Sequence, residues 1–354
     1  MSGPGELTAV PVPSPGGRWG EYTLLSRQVK QAGLLERRRG WYGARMGLNL
    51  GLLAAGGVVF VILGESWWQL LVAGYLAVVF TQLAFVGHDA GHRQLFRSRW
   101  ANDLVGLVHA NLLVGVSFEW WVGKHNAHHS NPNHEDLDPD ISITALAFTA
   151  EQASSKHGLV RVIARYQGWL FFPLLVLEAA HLHLASAKAV LGGGWGRANL
   201  VEGGLLVAHV GGLVAVLVVV LSPAQAVAFV VVQQGLFGLY LGCAFAPNHK
   251  GMPTLTEADQ LDFLRRQVLT SRNVAGSGLV DWLLGGLNYQ IEHHLFPTMP
   301  RPNLRRAQPL IRAFCDQHGL AYSQASLFGS YAQAIRHLHA VGAPLRPTTA
   351  TTTD

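Results

Sequence analysis

The sequence is short of charge. Asp, Glu, Lys and Arg together make up 13% of its 354 residues, against 49% hydrophobic residues. An ordinary water-soluble domain carries about 25% charged residues, so this composition, with a mean hydropathy of +0.24, excludes one and suits a membrane protein with water-facing parts. Cysteine is nearly absent. Cys243 and Cys315 stand far apart and form no C-x-x-C, which excludes a disulfide framework and a thiolate metal site and leaves nitrogen and oxygen to hold any metal. The 40 glycines form no P-loop and no G-x-G-x-x-G between a strand and a helix, so nucleotide binding is not supported. The net charge of +5, from 26 Lys and Arg against 21 Asp and Glu, reads as the basic bias of cytoplasmic loops and not as a nucleic-acid footprint.

Residues 1–20, "MSGPGELTAVPVPSPGGRWG", lack the apolar stretch of a signal peptide and are expected to be a flexible cytoplasmic tail. "PLRPTTATTTD" at the other end is of low complexity and carries no readable chemistry. The expected organisation is a tail over 1–25, a membrane domain over 26–340 and a second tail over 341–354.

Four runs, 46–64, 69–86, 203–221 and 224–245, are long and apolar enough to cross a bilayer, which takes about 20 residues at about 1.5 Å each. The links "ESWWQ" and "SPAQ" contain no Lys or Arg, whereas "RQVKQAGLLERRRGWYGAR", "RQLFRSR" and "RRQVLTSRN" flank the runs on the other side. The positive-inside rule therefore predicts two hairpins with both termini and residues 87–202 in the cytoplasm. Two further apolar stretches are poorer candidates. Residues 104–118 are too few for a span, and 168–185 carry Glu178, His181 and His183, where a charged group at mid-bilayer costs about 2.5–3.5 kcal/mol. Both are expected to be interfacial or re-entrant helices. The fold class is all-α: an integral membrane protein of four transmembrane helices in two hairpins, with interfacial helices and a histidine-rich cytoplasmic cap.

The histidines are patterned. "HDAGH" sets His88 and His92 at i, i+4; "HNAHH" sets His125, His128 and His129 at i, i+3, i+4; "QIEHH" repeats that spacing with Gln290, His293 and His294. On a helix such residues share one face, so each cluster can aim its side chains at one centre. His249, in "FAPNHKGM", follows the fourth run. All lie at the expected cytoplasmic ends of spans or in cytoplasmic segments. Eight histidines and a glutamine exceed the four ligands of a closed zinc site and suffice for two neighbouring ions. Imidazole suits Fe, Zn, Cu and Ni alike, so the ligands alone do not name the metal.

The three boxes, in this order and topology, resemble those of the membrane fatty acid desaturases, over roughly residues 45–310. That resemblance implies a non-haem di-iron centre that uses O2 and two electrons to introduce a double bond into an acyl chain, carried as acyl-CoA or as phospholipid. It implies His88, His92, His125, His128, His129, His293 and His294 as catalytic iron ligands, and His249 as the further histidine outside the boxes. Glutamine at the head of the third box is similar to the front-end desaturases and some bacterial relatives; Gln290 is placed to ligate iron or to orient a bound water, and Asn248 is a candidate to hold a metal-bound water. No H-P-G-G haem motif stands in the sequence, so electrons are expected from a separate donor of ferredoxin or cytochrome b5 type with its reductase. The chemistry agrees: a methylene has no acidic proton and no leaving group, so a redox metal is needed, and zinc has no redox chemistry. An alkyl or lipid hydroxylase shares the first hydrogen abstraction, but its second box is typically wider, H-x-x-x-H-H. A histidine-rich metal transporter would line a path within the spans instead.

Other residues carry lesser expectations. "NHEDLDPD", 134–140 with the preceding Asn133, reads as a solvated acidic loop near the second box. Asp89 and Glu292 are expected to accept hydrogen bonds from ligand N–H groups. His109 and His209 are expected to make packing or interhelix hydrogen bonds. Arg265, Arg266 and Arg272 are placed either to meet phosphates of a CoA or lipid headgroup or merely to express the basic cytoplasmic bias. Trp67, Trp68, Trp120 and Trp121 look like interfacial anchors, with Trp120 and Trp121 also candidates for the substrate entrance.

Overall fold

The structure is a computed structural model, and it describes residues 18–143 and 145–346. Helix α1 (Arg18–Gln31) has Glu21 in its first turn and Lys30 in its last, each opposing the helix dipole. Helices α2 (Arg39–Leu63) and α3 (Gln69–Gly91) follow, then α4 (Arg99–Val114), whose second half is a π-helix, and α5 (Phe118–Ser130). After a loop come α6 (Ala150–Ser154), α7 (Gly158–Leu175), α8 (Glu178–Gly192), α9 (Arg197–Val220) and α10 (Pro223–His249).

Four of these, α2, α3, α9 and α10, are long and apolar enough to cross a membrane. They match the expected runs, α2 and α9 stopping one residue short of 64 and 221. α3 continues past 86 to Gly91 and α10 past 245 to His249, because the backbone ladder needs no apolar side chain where protein covers the helix end. The overrun puts His88 and His249 on helices. The two doubtful stretches are bent: α4 with α5 by 110°, α7 with α8 by 80°, too sharply for straight spans. At the first bend Gly115 has φ +84, and a Cβ there would lie 2.5 Å from His209; only glycine fits.

α3 is the central helix, packed between α2 and α10. Val79, Phe80 and Leu83 meet Phe237 and Leu241 at its middle, and Phe60, Val72, Leu217 and Phe229 form a second apolar layer. α9 buries little of its apolar surface, leaving Val218 and Val219 exposed, as α2 leaves Val61 and Ile62. Apolar faces of this extent suit lipid and not water.

The remainder runs α11 (Phe263–Leu269), β1 (Asn273–Ala275), α12 (Gly278–Leu283), α13 (Gln290–Leu295), α14 (Arg301–Gln317), β2 (Gln324–Ser326) and α15 (Leu327–Gly342). β1 and β2 pair in parallel, Asn273 opposite Gln324. Leu25, Val29, Leu264, Ile291, Leu295, Ile311 and Phe314 form one core, which therefore includes α1. Residues 18–25, expected in the tail, are helical, and Tyr22 and Leu25 are packed: Tyr22 stacks on Phe296 and its hydroxyl donates to the Leu295 carbonyl at 3.0 Å. At the other end Leu345, also expected in a tail, is buried against Ala147, Ala153 and Ala164. The rest of both expected tails, 1–17 and 347–354, lies outside the described residues.

Candidate metal centre

The three boxes and His249 meet. His88 is in the last turn of α3, His128 and His129 in that of α5, His249 in that of α10, and His293 and His294 in that of α13. Four helices thus direct their C-terminal ends, the negative ends of their dipoles, toward one place, which favours cations there. The imidazoles sort into two groups. His88, His92, His125 and His293 bring one ligand atom each within 4.8 Å of one another, and His128, His249 and His294 do the same. His129 lies between, its Nε2 3.1 Å from His125 Nε2 and its ring stacked 4.1 Å from that of His294.

The hydrogen bonds fix the tautomers in the second group. His249 Nδ1 is 3.0 Å from the Thr270 carbonyl, which only accepts, so Nδ1 carries the proton. His128 Nδ1 donates to both oxygens of Asp138 at 3.0 Å. Gln267 gives its amide N–H to the His129 carbonyl at 2.9 Å, leaving its oxygen to accept from His294 Nδ1 at 2.8 Å. With all three Nδ1 protonated, all three Nε2 present lone pairs. Those Nε2 atoms converge: His249 is 3.3 Å from His128 and 3.0 Å from His294. Lone pairs facing lone pairs at this range repel unless a cation lies among them, so the donor set fits a metal ion. Gln290, buried on α13, turns its amide Nε2 toward His249, donating to its Nε2 at 2.8 Å, while its Oε1 is buried without a partner.

In the first group His88 Nδ1 is 3.2 Å from Asp89 Oδ1, and Nε2 of His88, His92 and His293 are buried without hydrogen-bond partners. These orphaned nitrogens are the second sign of fit. Burial, reinforced by neighbouring imidazoles, holds His92, His293 and His294 well below the ordinary imidazole pKa. They are neutral at pH 7, the form that binds metal. Trp121 closes one side, stacked 4.5 Å from the His125 ring.

The surroundings correct several expectations. Asp138, expected in a solvated loop, is fully buried and also accepts the backbone N–H groups of Asn133 and Asp140 at 2.7 and 2.8 Å, while Asp140 pairs with Lys124. Glu292 does not meet a ligand N–H. It accepts from Tyr322 Oη at 2.6 Å and Asn273 Nδ2 at 2.7 Å, and Asn273 Oδ1 takes the Ile291 N–H, so this trio secures the start of α13. Arg272 has no headgroup to meet: it is fully buried and holds the Pro247 and Lys250 carbonyls. Arg265 is committed to Glu21 and Asp262. Trp120 and Trp121 are half-buried, while Trp67 and Trp68 stay exposed. Asp89 does accept from His88, and His109 and His209 bond the carbonyls of Val105 and Leu112 at 2.9 Å. Asn248 is fully buried beside the centre with Oδ1 unpartnered.

Some positioning residues gave no sequence signal. Arg301 binds Asp89 at 2.6 Å, and Tyr42 reaches Asp89 and Gln94 at 3.2 and 2.8 Å. Glu202 of α9, 3% exposed, accepts the Glu119 N–H at 2.9 Å and the Ser117 hydroxyl at 2.6 Å, fastening the start of α5. Gln267 was a signal of a kind, a polar residue at the inward spacing of α11.

Comparison with known proteins agrees. The fatty acid desaturase family matches residues 65–326, and the chain belongs to that family. It is 32% identical over 277 residues to the acyl-lipid (9-3)-desaturase of Physcomitrium patens, covering 75% of this chain and 52% of that protein. It is 28% identical over 350 residues to the Delta(8)-fatty-acid desaturase of Helianthus annuus (93% and 74%), and 30% identical over 331 residues to fatty acid desaturase 3 of Bos taurus (91% and 73%). The chain thus spans about half the length of the moss relative and about three quarters of the other two.

Proposed function

We propose that the protein is an O2-dependent fatty acyl desaturase that introduces a cis double bond into an acyl chain at a non-haem di-iron centre. The observation that carries this reading is the convergence of buried imidazoles in two adjacent groups, one of them with its tautomers set by hydrogen bonds, in a chain of the desaturase family. One iron is assigned to His88, His92, His125 and His293, the other to His128, His249 and His294 with Gln290; His129 lies within reach of both. Asn248 is assigned to a bound water. Bound iron supplies the one chemistry the side chains lack, reduction of O2 with two donor electrons to the oxidising power that takes two hydrogens from adjacent methylenes. The chain does the rest: its neutral imidazoles bind, Asp138, Asp89, Gln267 and the Thr270 carbonyl orient them, and burial keeps water from the reacting carbon atoms. The acyl group arrives as acyl-CoA or phospholipid from the membrane. Electrons come from a separate ferredoxin or cytochrome b5 type donor. α2 with α3 and α9 with α10 form two membrane hairpins, and the centre faces the cytoplasm, where the basic flanks lie.

The test is expression in a lipid-producing host with gas chromatography and mass spectrometry of its acyl chains, beside metal analysis of the purified protein. A new unsaturated species, about two irons per chain, and loss of both in His128→Ala and His293→Ala are expected. A hydroxylated product, or full activity with zinc and no iron, refutes the reading.

A further inference from the structure

At the N-terminal end of α2 lies a cavity of about 290 Å³ lined by Trp41, Arg45, Asp281, Trp282, Arg301 and Arg305 among others. Three arginines line it with one carboxylate, while Arg301 is also held from behind by Asp89 and the Phe85 carbonyl, each at 2.6 Å, and Arg45 by the neutral Gln82 Oε1. Asp281 is itself engaged, by Arg305 at 3.4 Å and by Asn288 Nδ2 at 2.8 Å. The indoles serve as walls for the cations, Arg301 standing 5.7 Å from the Trp41 ring and Arg45 5.8 Å from that of Trp282. Arg301 is 7% exposed, and its Nε, like that of Arg45, is buried with no acceptor. Gly286 has φ +80, and a Cβ there would lie 2.6 Å from Arg301 Cγ, so the glycine keeps the Arg301 wall open.

Like charges gathered in one partly enclosed space are costly, and Arg45 meets a neutral amide oxygen there rather than a carboxylate. An anion with several acceptor oxygens offsets that cost, and phosphate is the group that a fork of arginines fits best. A lone carboxylate engages one guanidinium in that manner and leaves the others unmet. The place also suits a headgroup. Trp41 and Arg45 belong to the first two turns of a candidate span, where headgroups of a bilayer lie. Two contacts link the cavity wall to the centre: Arg301 holds Asp89 at 2.6 Å, and Asp89 holds His88.

We propose that this cavity is a phosphate site that seats the headgroup of the acyl substrate, either the phosphodiester of a phospholipid or the diphosphate of coenzyme A. The proposal rests on the desaturase reading for the identity of the chain that hangs from the phosphate, and it replaces the expectation that Arg265 and Arg272 serve this purpose.

The test measures binding and not turnover. Purified full-length protein in detergent is titrated with oleoyl-CoA, oleoyl-lysophosphatidylcholine and free oleate by equilibrium dialysis. At least one phosphate-bearing probe should bind about tenfold or more tightly than oleate, as loss of a charge-assisted pair implies, and the better of the two identifies the source of the phosphate. Arg45→Gln should remove most of that preference. Arg305→Gln, whose side chain is 61% exposed and free to change without disturbing the fold, should cut it about threefold. Arg99→Gln, a surface arginine of α4 away from the cavity, should leave it unchanged. Oleate binding as tightly as both phosphate probes, or a preference that survives both cavity variants, overturns the proposal and leaves the desaturase reading standing. Conversely, a preference that falls as described in a chain that makes no unsaturated product upholds the phosphate site and refutes that reading.

Discussion

Replacing Asp138 by Asn changes one charge at a site that admits no rearrangement. The carboxylate takes the His128 proton on both oxygens at 3.0 Å while each oxygen also accepts a backbone N–H, and none of it is exposed. The amide introduced by Asp138→Asn would keep one acceptor and turn its NH2 toward one of those backbone donors. The His128 bond loses its charge assistance, worth about 1.5–3 kcal/mol, which lowers affinity at the His128, His249 and His294 group by about 10–100-fold, the range in which partners of metal ligands ordinarily act. The donor set against a donor costs about 1–3 kcal/mol of stability besides. The assay is iron per chain after dialysis against graded chelator, with melting of the iron-free protein alongside. Iron in this group should leave at about 10–100-fold lower chelator, while the four-histidine group holds its iron within about threefold. Asp136→Asn, exposed in the same loop, should match the parent. If the Asp138 variant resists chelator as the parent does, Asp138 does not orient His128.

Gln290→Ala should lose most activity and weaken iron retention at the second group, and Gln290→His should keep iron with some turnover; an Ala variant at the parent rate with full iron would remove the glutamine from the centre. Reporters fused after Phe96, Ser130 or Phe296 should all read cytoplasm and one within 65–69 the opposite side, and a single box read outside defeats the topology. Glu202→Ala should destabilise the protein by about 1–3 kcal/mol by stripping two partners from the start of α5, with Glu202→Gln largely restoring its melting temperature; equal melting of all three would show that the contact carries nothing. In iron-free protein, burial depresses the pKa of His92, His293 and His294, so the unfolded chain binds more protons than the folded one. Their contribution to stability is therefore complete above about pH 6.5 and is lost as pH falls below that value; a flat melting profile between about pH 7 and pH 5 would contradict it.

The histidine clusters were legible because i, i+3 and i, i+4 spacing is a local property of helices, and His88, His125 and His293 announce it without knowledge of tertiary structure. The spans were legible for the same reason, by length and apolarity, although not the polar ends that carry His88 and His249. Asp138 was not. A loop rich in Asp looks solvated, and only the approach of His128 and two backbone amides shows that it is enclosed. Arg272 and Glu292 failed likewise: each is a charged residue whose partners, the Pro247 carbonyl and the Tyr322 hydroxyl, lie 25 and 30 positions away. Arg301 and Glu202 act on helices distant in sequence, and no spacing rule reaches that far.

The parallel pair of β1 and β2 has a bearing on how the third box is anchored. Asn273 sits in that pair opposite Gln324, gives its backbone N–H to the Ser323 carbonyl and its Nδ2 to Glu292, and takes the Ile291 N–H on its Oδ1. The segment with His293 and His294 is thus tethered by a strand that the ribosome makes about thirty residues later, at about 5–20 residues per second. Full anchoring of the His293 and His294 segment therefore depends on a non-local pairing, and not only on the helices that carry the other box histidines.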